Sequence, residues 1–175
     1  MTATEAYDLT THGGAIDFVS VIRVCESFGP YCVIGGLAVN WYVEPVYTLD
    51  ADIVLIARNL RSVAEQLGRD GFETQEHVHS LNAHTAHSDL RVQFTTDGRY
   101  QRFLERSVRG ELFGTVVRVA CLEDLVQGKL WAYGDPERRL SKRKKDELDL
   151  VRLAEKYPQL KVLYPAELRQ QIDRG

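Results

Sequence analysis

The chain has 175 residues, with 22 lysines and arginines against 25 aspartates and glutamates, which gives a formal net charge of -3. This length fits one domain that buries roughly 70% of the surface its unfolded chain would expose. Hydrophobic residues make up 44% and charged residues 27% of the sequence, which excludes a disordered or collagen-like protein. The mild acidity excludes a protein that coats nucleic acid through its total charge, but it is compatible with a local basic patch.

The sequence contains no segment typical of a membrane span or a secretion signal. The longest stretch without a charged residue, 27–43, is interrupted by Gly29-Pro30 and Gly35-Gly36, which are turn signals. The first twelve residues are acidic and polar, where a signal peptide needs a basic region followed by an apolar one. We therefore expect a cytoplasmic protein with no membrane contact.

The cysteines and histidines suggest structural roles. Three cysteines lie among apolar neighbours without a C-x-x-C pair, which predicts reduced, buried side chains: Cys25, Cys32 and Cys121. Four histidines crowd into eleven positions: His77, His79, His84 and His87. Their spacing lacks the cysteines or the H-E-x-x-H frame of a specific zinc site. A solvated polar loop is the favoured interpretation, with a metal site as the alternative.

Apolar spacing predicts the elements of the first half of the chain. In chain order these are a helix over 16–28, a strand over 31–34, a short helix over 37–43, a central strand over 50–56, a helix over 59–69 and a strand over 72–78. The histidine-rich loop follows that last strand.

The second half begins with a strand over 90–95, in which apolar and polar residues alternate. The pattern then predicts a helix over 100–108, a hairpin over 111–119 that turns at Gly114-Thr115, helices over 122–133 and 142–155, and a short last helix over 165–172. Asp135-Pro136 is predicted to be the N-cap and first residue of the second long helix. The fold class is α+β, a mixed sheet flanked by helices. Residues 1–120 form the α/β core and 121–175 a helical part packed on it as one structural unit.

The chemistry is predicted to lie at a Gly-Gly pair and a D-x-D pair. Gly35-Gly36 follows the short strand, and thirteen residues separate it from Asp50-Ala51-Asp52. Residues two apart in a strand point to the same side, so Asp50 and Asp52 place two carboxylates together, where Mg²⁺ would relieve their repulsion. Paired glycines let a backbone approach a phosphate at a helix N-terminus. Either feature alone is compatible with a solvated strand end or close packing; their combination favours phosphoryl or nucleotidyl transfer.

This arrangement resembles the DNA polymerase β-like nucleotidyltransferase superfamily and, more narrowly, the AbiEii toxin-like nucleotidyltransferases of toxin-antitoxin systems. The resemblance covers roughly residues 30 to 155. Three further segments carry it: Thr48 before the D-x-D pair, Glu123-Asp124-Leu125 with Lys129 and Ala132, and Lys145-Asp146 with Asp149.

The resemblance implies a nucleotidyltransferase that uses Mg²⁺ and an NTP. Asp50 and Asp52 would bind the metal, and Lys129 would neutralise triphosphate charge as a third catalytic residue. The nucleotide would contact further residues of the same motifs: Gly35, Gly36, Thr48, Lys129, Lys145 and Asp146. A solvent-exposed lysine is the alternative for Lys129. Asp146 and Asp149 either line the site or pair with neighbouring basic residues.

Two positions depart from the superfamily pattern. The later strand that usually carries a third acidic residue has Gln93 there, which can act neither as a base nor as a charged ligand. Asp89 lies four residues earlier on the same strand face, about 13 Å away, too far to substitute. The arginine that usually precedes the threonine is also absent, because Val46 and Tyr47 stand there.

A basic run follows the predicted site helix. It contains two acidic residues and six basic ones, and the basic residues are Arg138, Arg139, Lys142, Arg143, Lys144 and Lys145. Such a run is compatible with an RNA backbone or with a solvated helix face. The leading hypothesis is a cytoplasmic, toxin-antitoxin-like enzyme with a cognate partner, which transfers a nucleoside monophosphate to a hydroxyl on RNA, such as a tRNA end, or on protein. The alternative, suggested by Gln93, is a non-catalytic nucleotide- or RNA-binding module on the same fold.

Overall fold

A computed structural model describes residues 2–175 and shows the expected α+β architecture, a seven-stranded mixed sheet with flanking helices. The strands are β1 (Tyr31–Ile34), β2 (Asp50–Leu55), β3 (Glu73–His77), β4 (Ser80–His84), β5 (Arg91–Thr95), β6 (Val108–Leu112) and β7 (Thr115–Val119). The helices are α1 (Ala3–Thr11), α2 (Gly14–Phe28), α3 (Gly35–Tyr42), α4 (Leu60–Arg69), α5 (Gln101–Arg106), α6 (Leu122–Gly134), α7 (Leu140–Lys156) and α8 (Ala166–Arg174). No helix within the described residues is long and apolar enough to cross a membrane.

The sheet order is β3-β4-β5-β2-β1-β7-β6. In the centre, β2 runs antiparallel to β1 and parallel to β5, and β1 is parallel to β7. Antiparallel hairpins form both edges. The register aligns Ile34, Asp52, Gln93 and Asn82 in one row across four strands. Residues far apart in the sequence therefore meet where β1 ends and β2 begins.

The hydrophobic core surrounds the central strands, because their apolar residues are covered by helices. Ala51, Ile53 and Val54 of β2 are fully buried. On α2, Phe18 and Ile22 face this core, as the helical spacing predicts. Helix α3 packs on β1 and β2 and contacts α6 and α7. This packing places the N-terminal half of α7 near the start of β2.

The cysteine prediction is confirmed for two of the three residues. Cys25 and Cys32 are buried, but Cys121 is partly exposed at the N-cap of α6. All three are free thiols. The partial exposure of Cys121 follows from its position between a strand and a helix rather than inside either.

The structure adds a helix that the sequence pattern did not predict. Helix α1 begins with a capping box, in which the Thr2 hydroxyl accepts a hydrogen bond from the Glu5 amide and the Glu5 carboxylate accepts one from the Thr2 amide. Its Tyr7 ring stacks on Phe113 with 4.1 Å between ring centroids. The T-x-x-E spacing was the available signal.

The prediction of a loop after β3 was wrong at residues 80–84, which form β4. Leu81 and Ala83 are buried and alternate with more exposed residues, the pattern of a half-buried strand. The interspersed histidines obscured this alternation. The hairpin of β6 and β7 is also longer than predicted, and it turns at Phe113-Gly114, where both φ angles are positive, as a type I′ turn requires.

The predicted start of the second long helix was also wrong. Helix α7 begins at Leu140, whereas Asp135 follows the last residue of α6. The Asp135 carboxylate accepts a hydrogen bond from the Glu137 amide at 2.9 Å. Asp135 therefore stabilises a turn between the helices, a common alternative to capping for aspartate before proline.

Candidate functional site

The Gly-Gly turn lies against the second carboxylate of the D-x-D pair. Gly35 has a φ of +68°, and a Cβ placed on it would lie 2.1 Å from Oδ2 of Asp52. Only glycine satisfies both the backbone conformation and this approach. A Cβ on Gly36 would have its nearest contact at 3.4 Å, with Oγ1 of Thr48. The glycines thus bring the N-terminus of α3 close to Asp52 and Thr48.

Asp50 is held by two cations. Arg91, its register partner on β5, places Nη2 2.9 Å from Oδ1, and Nζ of Lys142 lies 3.0 Å from Oδ2. Burial alone would raise the pKa of Asp50, but Lys142 and Arg91 outweigh it and lower that pKa. The carboxylate is therefore ionised and neutralised by the protein itself.

Asp52 has a different environment. Burial and the nearby Asp50 raise the pKa of Asp52, although Lys129 opposes this effect. The side chain faces Gly35 and the cleft. One strand thus presents two carboxylates that differ in electrostatic environment.

Lys129 is 9% exposed and lies in a buried ionic network. Its Nζ is 3.0 Å from Oδ1 of Asp146 and 2.7 Å from Oδ2 of Asp149. Arg138 also contacts Asp146, and Arg152 contacts Asp149, each at 2.7 Å. The alternative interpretation of Lys129 as a solvent-exposed lysine is therefore wrong, and the two aspartates do pair with basic neighbours. Burial lowers the pKa of Lys129, but the two aspartates raise it by more.

Gly128, which precedes Lys129, allows a close approach between helices. A Cβ there would lie 3.2 Å from the Tyr100 ring and 3.5 Å from the Phe103 ring. The space left by this glycine is therefore used by aromatic packing.

The basic run is divided between different surfaces. Arg138, Lys142 and Lys145 line the cleft. Lys142 and Lys145 share one face of α7, and Arg138 lies in the turn before this helix. Nζ of Lys145 donates to the Thr48 hydroxyl at 3.2 Å. The other three, Arg139, Arg143 and Lys144, are not among the described residues that line the cleft, and Lys144 pairs with Glu147 at 2.8 Å.

Two compartments meet at Asp52. The larger, about 750 Å³, is lined by Gly36, Thr48 and the cations that face the cleft. The smaller, about 270 Å³, is lined by Gly35, Thr95, Tyr100 and Phe103, among others. Five residues line both: Asp52, Gln93, Lys129, Arg138 and Asp146. They form the boundary at which groups bound on either side would meet.

Gln93 pairs in register with Asp52 on the neighbouring strand. The position expected to carry a third acid therefore does lie at the site, but it presents an amide. Asp89 precedes β5, and its carboxylate lies 2.6 Å from Nδ1 of His12.

The donor set fits a cation that brings its own ligands. Within residues 2–175, no group of three or more His, Cys, Asp or Glu side chains is arranged to hold a metal ion. Mg²⁺ is usually bound through one or two carboxylates together with water and phosphate oxygens. Asp50 and Asp52 supply two carboxylates, and the missing Cβ of Gly35 lets the Asp52 carboxylate lie against the start of α3. These residues therefore fit Mg²⁺ bound together with a phosphate ligand.

The four clustered histidines lie on the β3–β4 hairpin and in the segment that follows it. His84 lies 3.4 Å from Glu73, and His87 lies 3.2 Å from the buried Asp17. Asp17 also accepts hydrogen bonds of 2.6 Å from Thr85 and Ser88. The segment between β4 and β5, which forms part of the cleft wall, is anchored to α2 through these contacts.

Sequence reasoning missed the partners of the site carboxylates. Arg91 fits the alternation of β5 as a polar strand residue, and the local pattern around Arg152 carries no signal of a site. Lys142 was assigned to a nucleic-acid patch, although its contact in the structure is Asp50. The three-residue spacing of Lys142 and Lys145 was the available signal, because these two positions share a helix face.

Similarity to solved structures supports the fold. ANT(2'')-Ia in complex with adenylyl-2''-tobramycin matches with a TM-score of 0.64 and 12% identity, over 92% of this chain and 97% of that chain. Lincomycin-bound LnuA, a lincosamide antibiotic adenylyltransferase, matches with a TM-score of 0.54 and 11% identity, over 78% and 94%. An antigenic nucleotidyltransferase-like protein from Paracoccidioides brasiliensis matches with a TM-score of 0.55 and 19% identity, over 78% and 72%.

The chain has a nucleotidyltransferase-like fold, as its resemblance to the superfamily implies. No protein-family model and no curated protein matches the sequence. The narrower resemblance to AbiEii-like proteins stays a hypothesis based on the motifs.

Proposed function

We propose that the protein is a Mg²⁺-dependent nucleotidyltransferase that moves a nucleoside monophosphate from an NTP to an acceptor hydroxyl. The observation that carries this proposal is the convergence of the Gly35-Gly36 turn, the Asp50 and Asp52 carboxylates and the cationic face of α7 on one cleft. Residues 1–120 supply the turn and the carboxylates, and residues 121–175 supply Lys129 and the cations, as expected if the two parts act as one unit.

The larger compartment suits the triphosphate. Helix α3 begins at Gly35, and Gly36 in its first turn lines this compartment; amides at a helix N-terminus favour anions. Lys142 and Lys145 lie opposite, beside Asp50 and Thr48. Mg²⁺ bound at the two strand carboxylates would neutralise phosphate charge and help to orient the nucleotide.

The two compartments suit an in-line transfer. The attacking and leaving oxygens of a phosphoryl centre lie on opposite sides of the phosphorus. With the α-phosphate near Asp52, pyrophosphate would leave through the larger compartment and the acceptor would approach from the smaller one. A bond forms between the acceptor oxygen and the α-phosphorus as the bond to the β-phosphate oxygen breaks, and the hydroxyl proton passes to water.

Lys129 and Gln93 have supporting roles in this proposal. Lys129 orients Asp146 and Asp149 and adds positive potential next to Asp52. Gln93 can hold the acceptor by a hydrogen bond but cannot remove its proton. We therefore expect slow transfer at neutral pH and faster transfer as hydroxide increases.

The acceptor could be RNA, protein or a small molecule, and each of these can be tested. The basic residues outside the cleft favour RNA, and the motif resemblance favours a hydroxyl on RNA or protein in a cytoplasmic toxin-antitoxin system with a cognate partner. The small compartment of about 270 Å³ favours a compact acceptor. ANT(2'')-Ia was solved with adenylyl-2''-tobramycin and LnuA with lincomycin, which places small molecules among the acceptors to test.

A second candidate function is a nucleotide- or RNA-binding module without catalysis. The amide of Gln93 at the third acidic position favours it, because an amide cannot take up the proton of an acceptor hydroxyl. Nucleotide binding that requires Asp50 but releases no pyrophosphate would support this alternative.

The test uses each α-³²P-labelled NTP with Mg²⁺ and three acceptor mixtures: total tRNA, cell protein, and aminoglycosides with lincosamides. We expect label in one mixture for the wild type and none for the Asp50→Ala/Asp52→Ala double variant. A Gln93→Asp variant should label the same acceptor faster. Equal labelling by wild type and double variant, or no labelling in any mixture, would contradict the catalytic proposal.

A further inference from the structure

The first carboxylate of the D-x-D pair has no free oxygen in this structure. Arg91 holds Oδ1 of Asp50 at 2.9 Å, and Lys142 holds Oδ2 at 3.0 Å. A divalent cation that approached this carboxylate alone would meet two positive charges at the oxygens it needs. The nucleotide-free site is therefore electrostatically unsuited to a metal that arrives without anions.

The cleft-lining cations of α7 and of the turn before it each contact an oxygen of the protein. Arg138 contacts the Asp146 carboxylate, Lys142 the Asp50 carboxylate and Lys145 the Thr48 hydroxyl. A lysine binds phosphate oxygens as readily as carboxylate oxygens, because its ammonium group acts as a point charge. The cleft-facing side of α7 can therefore exchange these contacts for a triphosphate.

Lys142 and Arg91 reach Asp50 from different elements. Strand register fixes the backbone of Arg91 on β5 opposite Asp50, and its side chain is 62% exposed. Lys142 extends from α7, and its side chain is 42% exposed and has a flexible four-carbon stem. Because Lys142 and Lys145 share the face of α7 that lines the larger compartment, Lys142 can pass from Asp50 to a phosphate there without moving a strand.

We propose that Lys142 is an electrostatic clamp that occupies Asp50 until a nucleotide arrives, then moves to a phosphate oxygen and frees Asp50 for the metal. Metal and nucleotide would bind as a coupled pair, because the triphosphate supplies the negative charge that draws Lys142 away. This inference rests on the proposed function, in that a nucleoside triphosphate occupies the larger compartment.

The test measures Mn²⁺ as a probe of the metal site, from the electron paramagnetic resonance signal of free Mn²⁺. Titrations are run on the full chain without nucleotide and with NTP analogues that carry a methylene bridge between the α- and β-phosphates. For the wild type, we expect an analogue to tighten Mn²⁺ binding by about tenfold or more, within the range common for coupled sites. Reciprocity requires Mn²⁺ to tighten analogue binding by the same factor.

The Lys142→Met variant tests whether Lys142 competes with the metal for Asp50. Without nucleotide it should bind Mn²⁺ more tightly than the wild type by about tenfold, because Asp50 loses a competing cation. The analogue should then add less further affinity. Lys142→Gln should behave like Lys142→Met, and Lys142→Arg like the wild type. Lys156→Met is the matched control, since this lysine also lies on α7 but contacts the Tyr42 carbonyl.

The outcomes distinguish the clamp from the proposed function. Equal Mn²⁺ affinity in wild type and both neutral variants, with the analogue still binding, would overturn the clamp alone. Coupled binding without transfer to any acceptor would support the clamp and contradict the proposed catalysis. Failure of every analogue to bind the wild type would contradict both.

Discussion

Replacing Lys129 by methionine perturbs the ionic network beneath the cleft. Methionine keeps an unbranched apolar stem but removes the charge that lies 3.0 Å from Asp146 and 2.7 Å from Asp149. Each aspartate retains one arginine, Arg138 or Arg152. The variant therefore leaves two buried carboxylates that are still paired, but each with one cation fewer.

The expected loss of stability follows from this remaining pairing. Removing one partner of a buried ion pair costs about 3–5 kcal/mol. Because both aspartates keep an arginine, we expect the lower end, about 3 kcal/mol. For a chain of this length, 1 kcal/mol corresponds to about 2–4 °C, so the melting temperature should fall by about 6–12 °C.

Circular dichroism melting at pH 7 measures this difference. The pKa of Lys129 is raised above its ordinary 10.5 in the folded protein. Its stabilising effect is therefore complete below pH 10.5 and is lost as pH rises through the higher folded value. The difference in melting temperature between wild type and variant should stay constant at pH 6, 7 and 8. The difference in free energy of unfolding, measured by urea titration, should shrink above pH 10.5.

Lys161→Met is the control, because Lys161 pairs with an exposed carboxylate, that of Asp173. Exposed pairs contribute at most about 1 kcal/mol. A Lys129→Met protein that melts at the temperature of this control would refute the role of Lys129 as the buried centre of the network.

Three other substitutions, two of them with a matched control variant, test different parts of the structure. Gly35→Ala should lower the free energy of unfolding by about 1–3 kcal/mol through its positive φ, and it should weaken Mn²⁺ binding by displacing Asp52. Gly36→Ala should retain Mn²⁺ binding, because its Cβ would lie 3.4 Å from the nearest atom, Oγ1 of Thr48. Asp52→Asn should raise the melting temperature at pH 7 and abolish metal binding. Burial raises the pKa of Asp52 above its ordinary 3.8, so the ionised side chain destabilises the fold at neutral pH. The increase in melting temperature of Asp52→Asn should therefore vanish below pH 3.8. A variant that melts at a lower temperature than the wild type at pH 7 would contradict this. Asp17→Ala should lose about 3 kcal/mol in urea unfolding, because its carboxylate accepts hydrogen bonds from two hydroxyl groups and such bonds are worth about 1.5–3 kcal/mol each; Ser88→Ala, which removes one of them, should lose less.

Local patterns predicted the elements that carry the site. The apolar run after Asp52 predicted β2, and the helical spacing of α6 and α7 predicted both helices to within a few residues. The T-x-x-E signal of α1 and the alternation in β4 were also local, but the first was not considered and the second was hidden by histidines. Asp135-Pro136 was read as a helix start because aspartate stabilises turns and helix N-termini through the same acceptor group.

The amino-acid sequence by itself determined the α+β class, the Gly-Gly turn and the pair of carboxylates on one strand face, because these depend on interactions between near neighbours. Only the tertiary structure decided which cations hold those carboxylates. Asp50 and Lys142 are 92 positions apart, and they meet because the order of strands in the sheet and the packing of α7 bring them together. Chain separation carries no information about such contacts, so the ionic state of the site follows from the fold.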